Sequence, residues 1–392
     1  MAQSAVGDIP ACSEQFDTDI LIVGAGPSGL TLAAALASKG IRTIVVDRLV
    51  EGENTSRAAV VHARTLEVLE PLDVSRRLVA RGLQARRFTI RDRDRVLVPI
   101  AFDRLPTAYP YTLMVSQAVT EQVLLDRFME LGGTVLRPRG LAHLAQNDAG
   151  ATATLDDGSR IRARYVVGAD GMHSTVREAA HIGFSGGSYG ESFVLADVRL
   201  AGGVPSDEVI LYFSPAGMVV VAPLPDGVHR IVATVESAPE MPDVAYVQAL
   251  LDARGPSRER AKVHQVLWGS RFRVHHRVAD LYRDGHVLLA GDAAHVHSPA
   301  GGQGMNAGIL DAMRLAEALV EALAGNTLGL DAYGAERRPI ALEVLALADR
   351  LTRLATVRPA LRGLRNFLLS ALARLPRFRN QLAWRLSGLV YR

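Results

Sequence analysis

The 392-residue sequence contains a single cysteine, Cys12. No disulfide can form within the chain, and there is neither a CxxC pair nor a Cys/His cluster at zinc spacing. No metal site is expected, and a reducing, cytoplasmic setting follows. Uninterrupted apolar runs long enough to span a bilayer are also lacking. The opening stretch, MAQSAVGDIPACSEQFDT, has no basic start and no apolar core, so it reads as a loose leader rather than a secretory signal. Net charge is only +3, which speaks against a nucleic-acid partner. Acids, however, vanish at one end: after Arg350 there are nine arginines and no aspartate or glutamate. That segment, LRGLRNFLLSALARLPRFRNQLAWRLSGL, carries apolar residues at helical spacing. It reads either as C-terminal helices docked on an acidic body, their arginine stems lying along apolar surface, or as a dock for a membrane surface or a partner.

What is present points first to a nucleotide. The length fits two connected domains. Asp19 to Val23 is a short aliphatic strand, followed by Gly24-Ala-Gly26-Pro-Ser28-Gly29 and an alanine-rich helix that stops at Gly40. A second strand, Arg42 to Val46, ends in Asp47. In such a βαβ unit Gly24 permits the tight turn, Gly26 lets the backbone approach a pyrophosphate, and Gly29 lets helix and strand pack closely. Asp47 can accept from ribose hydroxyls, which disfavours a 2′-phosphate at that place. Two further stretches repeat the design of strand, glycine–acid turn and helix: RIRARYVVGAD, ending in Asp170-Gly171, and HVLLAGD, ending in Gly291-Asp292. Three strand-end acids suit a ligand held at several points, and FAD fits that description better than NAD.

These three motifs, in this order, resemble the class A flavin monooxygenases of the para-hydroxybenzoate hydroxylase fold. The stretches TSRAAVVHARTLEVLEPLDV, VSQAVTEQVLLDRF and LDAYGAERRP most resemble hydroxylases of phenols and aromatic polyketides. The resemblance implies an α/β architecture: a Rossmann-type FAD-binding domain with a parallel sheet, interrupted by a substrate domain with a mainly antiparallel sheet, and C-terminal helices. It implies an enzyme in which NADPH or NADH reduces FAD, O2 adds at flavin C4a, and the hydroperoxide hydroxylates an aromatic substrate of the kind met in antibiotic biosynthesis. For the cofactor it implies Gly24, Gly26, Ser28, Gly29, Asp47, Arg48 and Leu141 at the ADP half, and Arg57 and Gln117 at the phosphates and ribityl. Asp170 is implied for both FAD and the nicotinamide nucleotide, Asp292 for the ribityl, and Pro299, Gly302, Gly304, Met305 and Asn306 for the edge of the isoalloxazine. Read without a ligand, Gln117 is a helix cap and Asp170 a turn former. The sequence departs from many relatives at Met313-Arg-Leu-Ala-Glu317, and it ends where several of them continue into a thioredoxin-like domain. That leaves the oligomeric state between monomer and homodimer.

Between residues 187 and 270 the βα rhythm gives way to strand runs separated by turns, Pro225-Asp-Gly227 among them. An antiparallel substrate wall is expected there, joined by residues 86–110. The FAD domain is then 1–85, 111–183 and 271–350, followed by a basic helical segment 351–392. Tyr212, Phe213, Met218 and His229 are candidates to line the pocket. Tyr212 and His295 are candidates for direct chemistry, His295 having the alternative role of anchoring its loop. Scarcity of side-chain catalysts suits a reaction whose hard chemistry belongs to a cofactor. Trp268 and Trp384 stand alone, without the Trp-X-Trp-X-Ile-Pro stretch of flavin halogenases. Two alternatives stay open: an oxygenase of quinone or isoprenoid-linked rings at a membrane surface, and a flavoprotein that binds an intermediate without turnover.

Overall fold

The computed structural model describes residues 16–392 apart from 53–57, 236–238, 299–300, 356 and 358. Its first sheet grows from the apolar run at the start of the chain. Thr18–Val23 is the central strand, flanked in parallel by Thr43–Val46 on one side and Arg160–Gly168 on the other. Val135–Leu136 and Val287–Leu289 extend the parallel order outward. Ile20, Leu21, Ile22, Val45, Val46, Val166 and Val167 are solvent-free, as expected of strands covered on both faces. Because these strands run the same way, the turns that follow Val23, Val46, Gly168 and Leu289 open on one side of the sheet. In open α/β sheets, that is the side on which ligands bind.

Helix Pro27–Ala37 lies between Gln117–Glu130 and Gly304–Leu323. Its contact with the last of these is close enough to dictate residue type. The Ser28 hydroxyl sits where a Cβ on either Gly291 or Gly308 would have to go. The first glycine turn, the turn at Gly291 and the long helix after it are thereby fixed to one another.

The second sheet is antiparallel except at one pair of strands. Its order is His295–Val296, Lys262–Ala279, Phe184–Ala201, Val228–Val235, Gly217–Pro223, Glu208–Ser214, Arg87–Asp92, Arg95–Ala101. Only Glu208–Ser214 and Arg87–Asp92 run parallel. Two 18-residue strands, Phe184–Ala201 and Lys262–Ala279, pass without a break through the residues at which the sequence changes rhythm. Each of these strands connects directly to a segment of the first sheet's domain, Phe184–Ala201 from helix Thr175–Ala179 and Lys262–Ala279 to strand Arg283–Asp284. A small third sheet, Val60–Val61, Thr112–Met114 and Leu83–Ala85, fills the junction.

Alternation along the second sheet separates two apolar layers. Ile210, Tyr212, Val219, Val221, Ile231 and Ala233 face helix Val244–Arg254. Leu211, Phe213 and Met218 face the other way, toward Leu369, Ala373, Ala383 and Leu386. Those last residues belong to the C-terminal helices Arg362–Leu372 and Pro376–Leu386 and the turn between them. Helix Leu328–Ala355 carries Pro339 internally and runs past residue 350, so the basic segment continues a helix of the body.

The Ser28 contact makes a stability prediction. Gly308→Ala should lower the unfolding free energy by about 1–3 kcal/mol through overpacking, measured by urea denaturation. Adding Ser28→Ala, which removes the colliding hydroxyl, should recover most of that loss.

Candidate active site

At the first glycine turn Gly24 has φ +106°, and a Cβ there would collide with the Ala169 carbonyl. Gly29 has no room for one either, because the Gly24 carbonyl lies against it. Gly26 differs from both: nothing lies within 4 Å of where its Cβ would be. It is the N-cap of Pro27–Ala37, no side chain caps that helix, and Pro27 brings no N–H of its own. The turn therefore presents first-turn N–H groups to open space, a ready anion site.

Asp47 holds this turn in place. Its Oδ2 accepts from the Ala25 N–H at 2.6 Å and its Oδ1 from the Leu49 N–H at 2.8 Å. The Asp47 carbonyl accepts from Arg139 N–H at 2.7 Å, which brings up Gly140 and then Leu141, the first residue of strand Leu141–Gln146. Arg48 stands beside Gly140. Gln117 is not the helix cap that a ligand-free reading suggests: Ser116 caps Gln117–Glu130 by accepting from Val119 N–H at 3.3 Å. The Gln117 Oε1 instead accepts from Ala58 N–H at 3.2 Å, and its Nε2 donates to Glu121 at 2.9 Å. This fixes the chain just after 53–57. Arg57 and Pro299 lie outside the described residues.

Asp170 is divided between two tasks. Its Oδ2 accepts from Thr175 N–H, Thr175 Oγ1 and Val176 N–H at 2.7, 2.9 and 3.2 Å. Its Oδ1 is buried and has no hydrogen-bond partner, which is costly unless a ligand supplies one. Arg177 ties this loop to the next: Nη1 donates to the Ala293 carbonyl and Nη2 to the Met172 carbonyl, both at 2.9 Å. Its guanidinium lies 3.9 Å over the Phe184 ring. Sequence reasoning passed over Arg177, although VVGADGMHSTVR contains it. Its partner is 116 residues away, and no local pattern reports that.

In the third motif Gly291 has φ +62° and Asp292 stands exposed on the turn Gly291–Ala293. Gly301 and Gly302 have φ +92° and +62°. The long helix begins at Gly304 without a side-chain cap. Asn306 uses its whole amide within the protein. Oδ1 accepts from His62 N–H at 2.8 Å and Thr65 Oγ1 at 2.7 Å, and Nδ2 donates to the Val60 and Gly302 carbonyls at 2.9 and 2.8 Å. What Asn306 has left to offer a ligand is its backbone N–H, in the first turn of the helix with those of Gly304 and Met305. His62 closes the same knot, Nε2 lying 3.1 Å from the Gly301 carbonyl.

Two expectations need correcting. Tyr212 is fully buried on the sheet face that helix Val244–Arg254 covers. Burial pushes its phenol up to about 12, and it points away from the layer that meets Ala59 and Val60. His229 shares its parity with Ile231 and Ala233 on that same covered face. Phe213 and Met218 lie on the opposite one. His295 is 2% exposed and engaged: its Nε2 meets Asp311 Oδ2 at 2.6 Å, and Asp311 Oδ1 accepts from Arg337 Nε at 2.6 Å. Burial opposes ionisation of Asp311, but Arg337 and His295 outweigh it and hold the carboxyl below its usual range. His295 is thus buried and engaged by Asp311 rather than facing an open site.

Do these residues fit a flavin dinucleotide? A glycine with open space above it, an uncapped helix start, a buried carboxylate oxygen with no partner and an exposed Asp292 lie at the ends of parallel strands, and a second uncapped helix start follows at Gly304. That donor set suits a ligand with a diphosphate, a polyol and a ring that accepts hydrogen bonds, so the fit is positive. Among the described residues, no group of three or more His, Cys, Asp or Glu could hold a metal, and no helix is long and apolar enough to cross a membrane.

Comparisons with known proteins agree. A family model described as FAD binding domain matches residues 17–348. A 12-dehydrotetracycline 5-monooxygenase/anhydrotetracycline 6-monooxygenase of Streptomyces rimosus is 36% identical over 95% of this chain and 77% of its own length. A 6-methylpretetramide 4-monooxygenase of the same species is 39% identical over 87% of this chain and 63% of its own length. Among solved structures, an anhydrotetracycline hydroxylase from Streptomyces rimosus superposes with a TM-score of 0.78 at 35% identity, over 95% of this chain and 76% of the other.

His62 gives a pH prediction. Burial pulls its imidazole down to about 4, whereas in the unfolded chain it titrates near 6.5. The unfolded state binds the extra proton between those values, so this contribution is complete above pH ~6.5 and is lost as pH falls toward 4. Urea midpoints should decline across that window, and His62→Gln should flatten the decline.

Proposed function

Because the chain belongs to the FAD binding domain family and is a FAD-dependent aromatic monooxygenase, we propose that it hydroxylates a phenolic ring of a polycyclic, polyketide-like substrate. O2 is the oxygen source, and NADPH or NADH the reductant. The observation that carries this reading is the convergence of Gly26, Asp47, Asp170 and Asp292 at the ends of parallel strands. Its substrate class is supported by relatives named for oxygenation of tetracycline precursors.

FAD, when bound, supplies electron storage and activation of O2. The chain's residues bind and position it. The open turn at Gly26 and the uncapped helix behind it receive the diphosphate. Asp47 keeps that turn in shape, with Arg48 and Leu141 beside it. Gln117 holds residue 58, next to Arg57, whose proposed partner is a phosphate. The unpartnered Oδ1 of Asp170 accepts from a ligand hydroxyl, and Asp292 accepts from the ribityl chain. The glycines at 301, 302 and 304, with the Gln303 side chain turned away to the Leu386 carbonyl, leave backbone for a flat ring to lie against, with Pro299 as a further contact. Negative charge placed at the first-turn N–H groups of Gly304, Met305 and Asn306 is stabilised by about 0.3–1 kcal/mol. In this reading residues 1–85, 111–183 and 271–350 form the flavin domain. Residues 86–110 and 187–270 supply the substrate wall, through the part of the sheet face that carries Val209, Val220 and Ala222 and meets Ala59 and Met114; the part with Phe213 and Met218 lies under the C-terminal helices.

Two variants separate binding from folding. A Cβ on Gly304 would meet only His297, at an ordinary 3.6 Å, so Gly304→Val should fold normally yet lose flavin. Asp292→Ala should weaken FAD binding in a variant that still folds cooperatively. Both are read by titrating apo-protein with FAD and following quenching of its fluorescence; a fully flavinated Gly304→Val would contradict the assignment.

The function itself is tested by NADPH and NADH oxidation with the FAD-loaded protein, with and without a panel of phenols and polycyclic aromatic polyketides. At least one compound should accelerate oxidation and yield a product heavier by one oxygen atom in mass spectrometry. Binding of such compounds without oxygenation would identify a non-catalytic flavoprotein instead.

A further inference from the structure

Helix Arg362–Leu372 is mounted with its polar side inward. Arg365 and Asn366 are 6% and 8% exposed, whereas Leu364, Phe367, Leu368 and Leu372 are 56%, 66%, 49% and 42% exposed. An ordinary surface helix does the reverse. The orientation is pinned by hydrogen bonds: Arg365 Nη1 donates to the Leu354 carbonyl at 2.9 Å, Nη2 to the Phe213 carbonyl at 3.3 Å, and Nε to Asn366 Oδ1 at 3.0 Å. Asn366 Nδ2 in turn donates to Asp92 Oδ2 at 2.6 Å, and the Arg365 guanidinium lies 4.9 Å from the Phe213 ring centroid. Rotating the helix to bury its leucines would strand these groups. Leu361 and Leu375, 52% and 56% exposed, lengthen the same apolar strip.

We propose that this strip seats the protein on an anionic lipid surface, lying in the headgroup layer without crossing it. Charge selects the occupant. Arg374 and Arg377 are exposed where the strip ends at Leu372 and Leu375, and residues 351–392 contain no acid, although Arg353 is paired with Asp349 at 2.9 Å. A second copy docked strip to strip would set two such arginine arrays against each other. Anionic headgroups turn the same charges into attraction, as in interfacial amphipathic helices. The lipid contact rests on the strip alone and does not depend on the oxygenase reading.

The test is flotation of the FAD-loaded full chain with phosphatidylcholine vesicles and with phosphatidylcholine/phosphatidylglycerol vesicles. Wild type should float with the anionic vesicles and stay behind with the neutral ones. Phe367→Asp/Leu368→Asp should abolish flotation while the flavin spectrum and melting temperature are kept, and Arg374→Glu/Arg377→Glu should remove the preference for anionic lipid. No flotation with either vesicle overturns the proposal, as does flotation that the Asp variant leaves unchanged. A dimer in sedimentation velocity that the Asp variant dissolves, in protein that does not float, would assign the strip to a second copy and also overturn it.

Discussion

Where Gly24 lies against the Ala169 carbonyl and Ser28 fills the gap between Gly291 and Gly308, no Cβ can be admitted, and this exclusion sets the spacing of the whole flavin face. Three turns that are far apart in the chain are held within van der Waals contact. Two of them carry an acid, and the third is hydrogen-bonded to Asp47 through Ala25 N–H, so their contact also sets Asp47, Asp170 and Asp292 relative to one another. Glycine is entropically costly wherever it is ordered; here the cost is offset by the approach of one backbone to another.

A second tier of interactions keeps those turns rigid without touching a ligand. Asn306 joins residues 60, 62, 65 and 302 through one amide. Arg177 joins the 170–177 loop to the turn at Ala293. His295, Asp311 and Arg337 form a buried chain that ties strand His295–Val296 to two helices. A buried pair of this kind is strongly destabilising to break, because one partner is left charged and alone. Placing such networks beneath the site, with the open turns above them, is how a fold presents a cofactor in one geometry.

The glycine turns and strand-end acids were legible in the sequence because each is a local pattern with a physical reason for its spacing. The fold class followed from them, as did the second sheet, whose turn chemistry at Pro225 to Gly227 stands between two apolar runs. Phase was not legible. Alternation along Glu208–Ser214 says that Tyr212 and Phe213 face opposite ways, but which one meets the flavin side depends on helix Val244–Arg254 packing over Tyr212. Side-chain partners distant in sequence were equally hidden: nothing near Asn306 shows that its amide is spent on His62 and Val60. The basic C-terminal segment was read as two docked helices or as an external dock. Its first helix packs with Arg365, Asn366 and Leu369 inward and Leu364, Phe367, Leu368 and Leu372 outward, an orientation that the contacts of Arg365 and Asn366 decide.

The central claim is that separate strand-end turns hold the two halves of one long dinucleotide. It is tested most directly by calorimetric titration of the apo-protein with FAD, FMN and ADP. The account predicts that FAD binds far more tightly than FMN, which lacks the half assigned to Gly26 and Asp47, and that ADP competes with FAD. FMN binding as tightly as FAD, with ADP failing to compete, would contradict it.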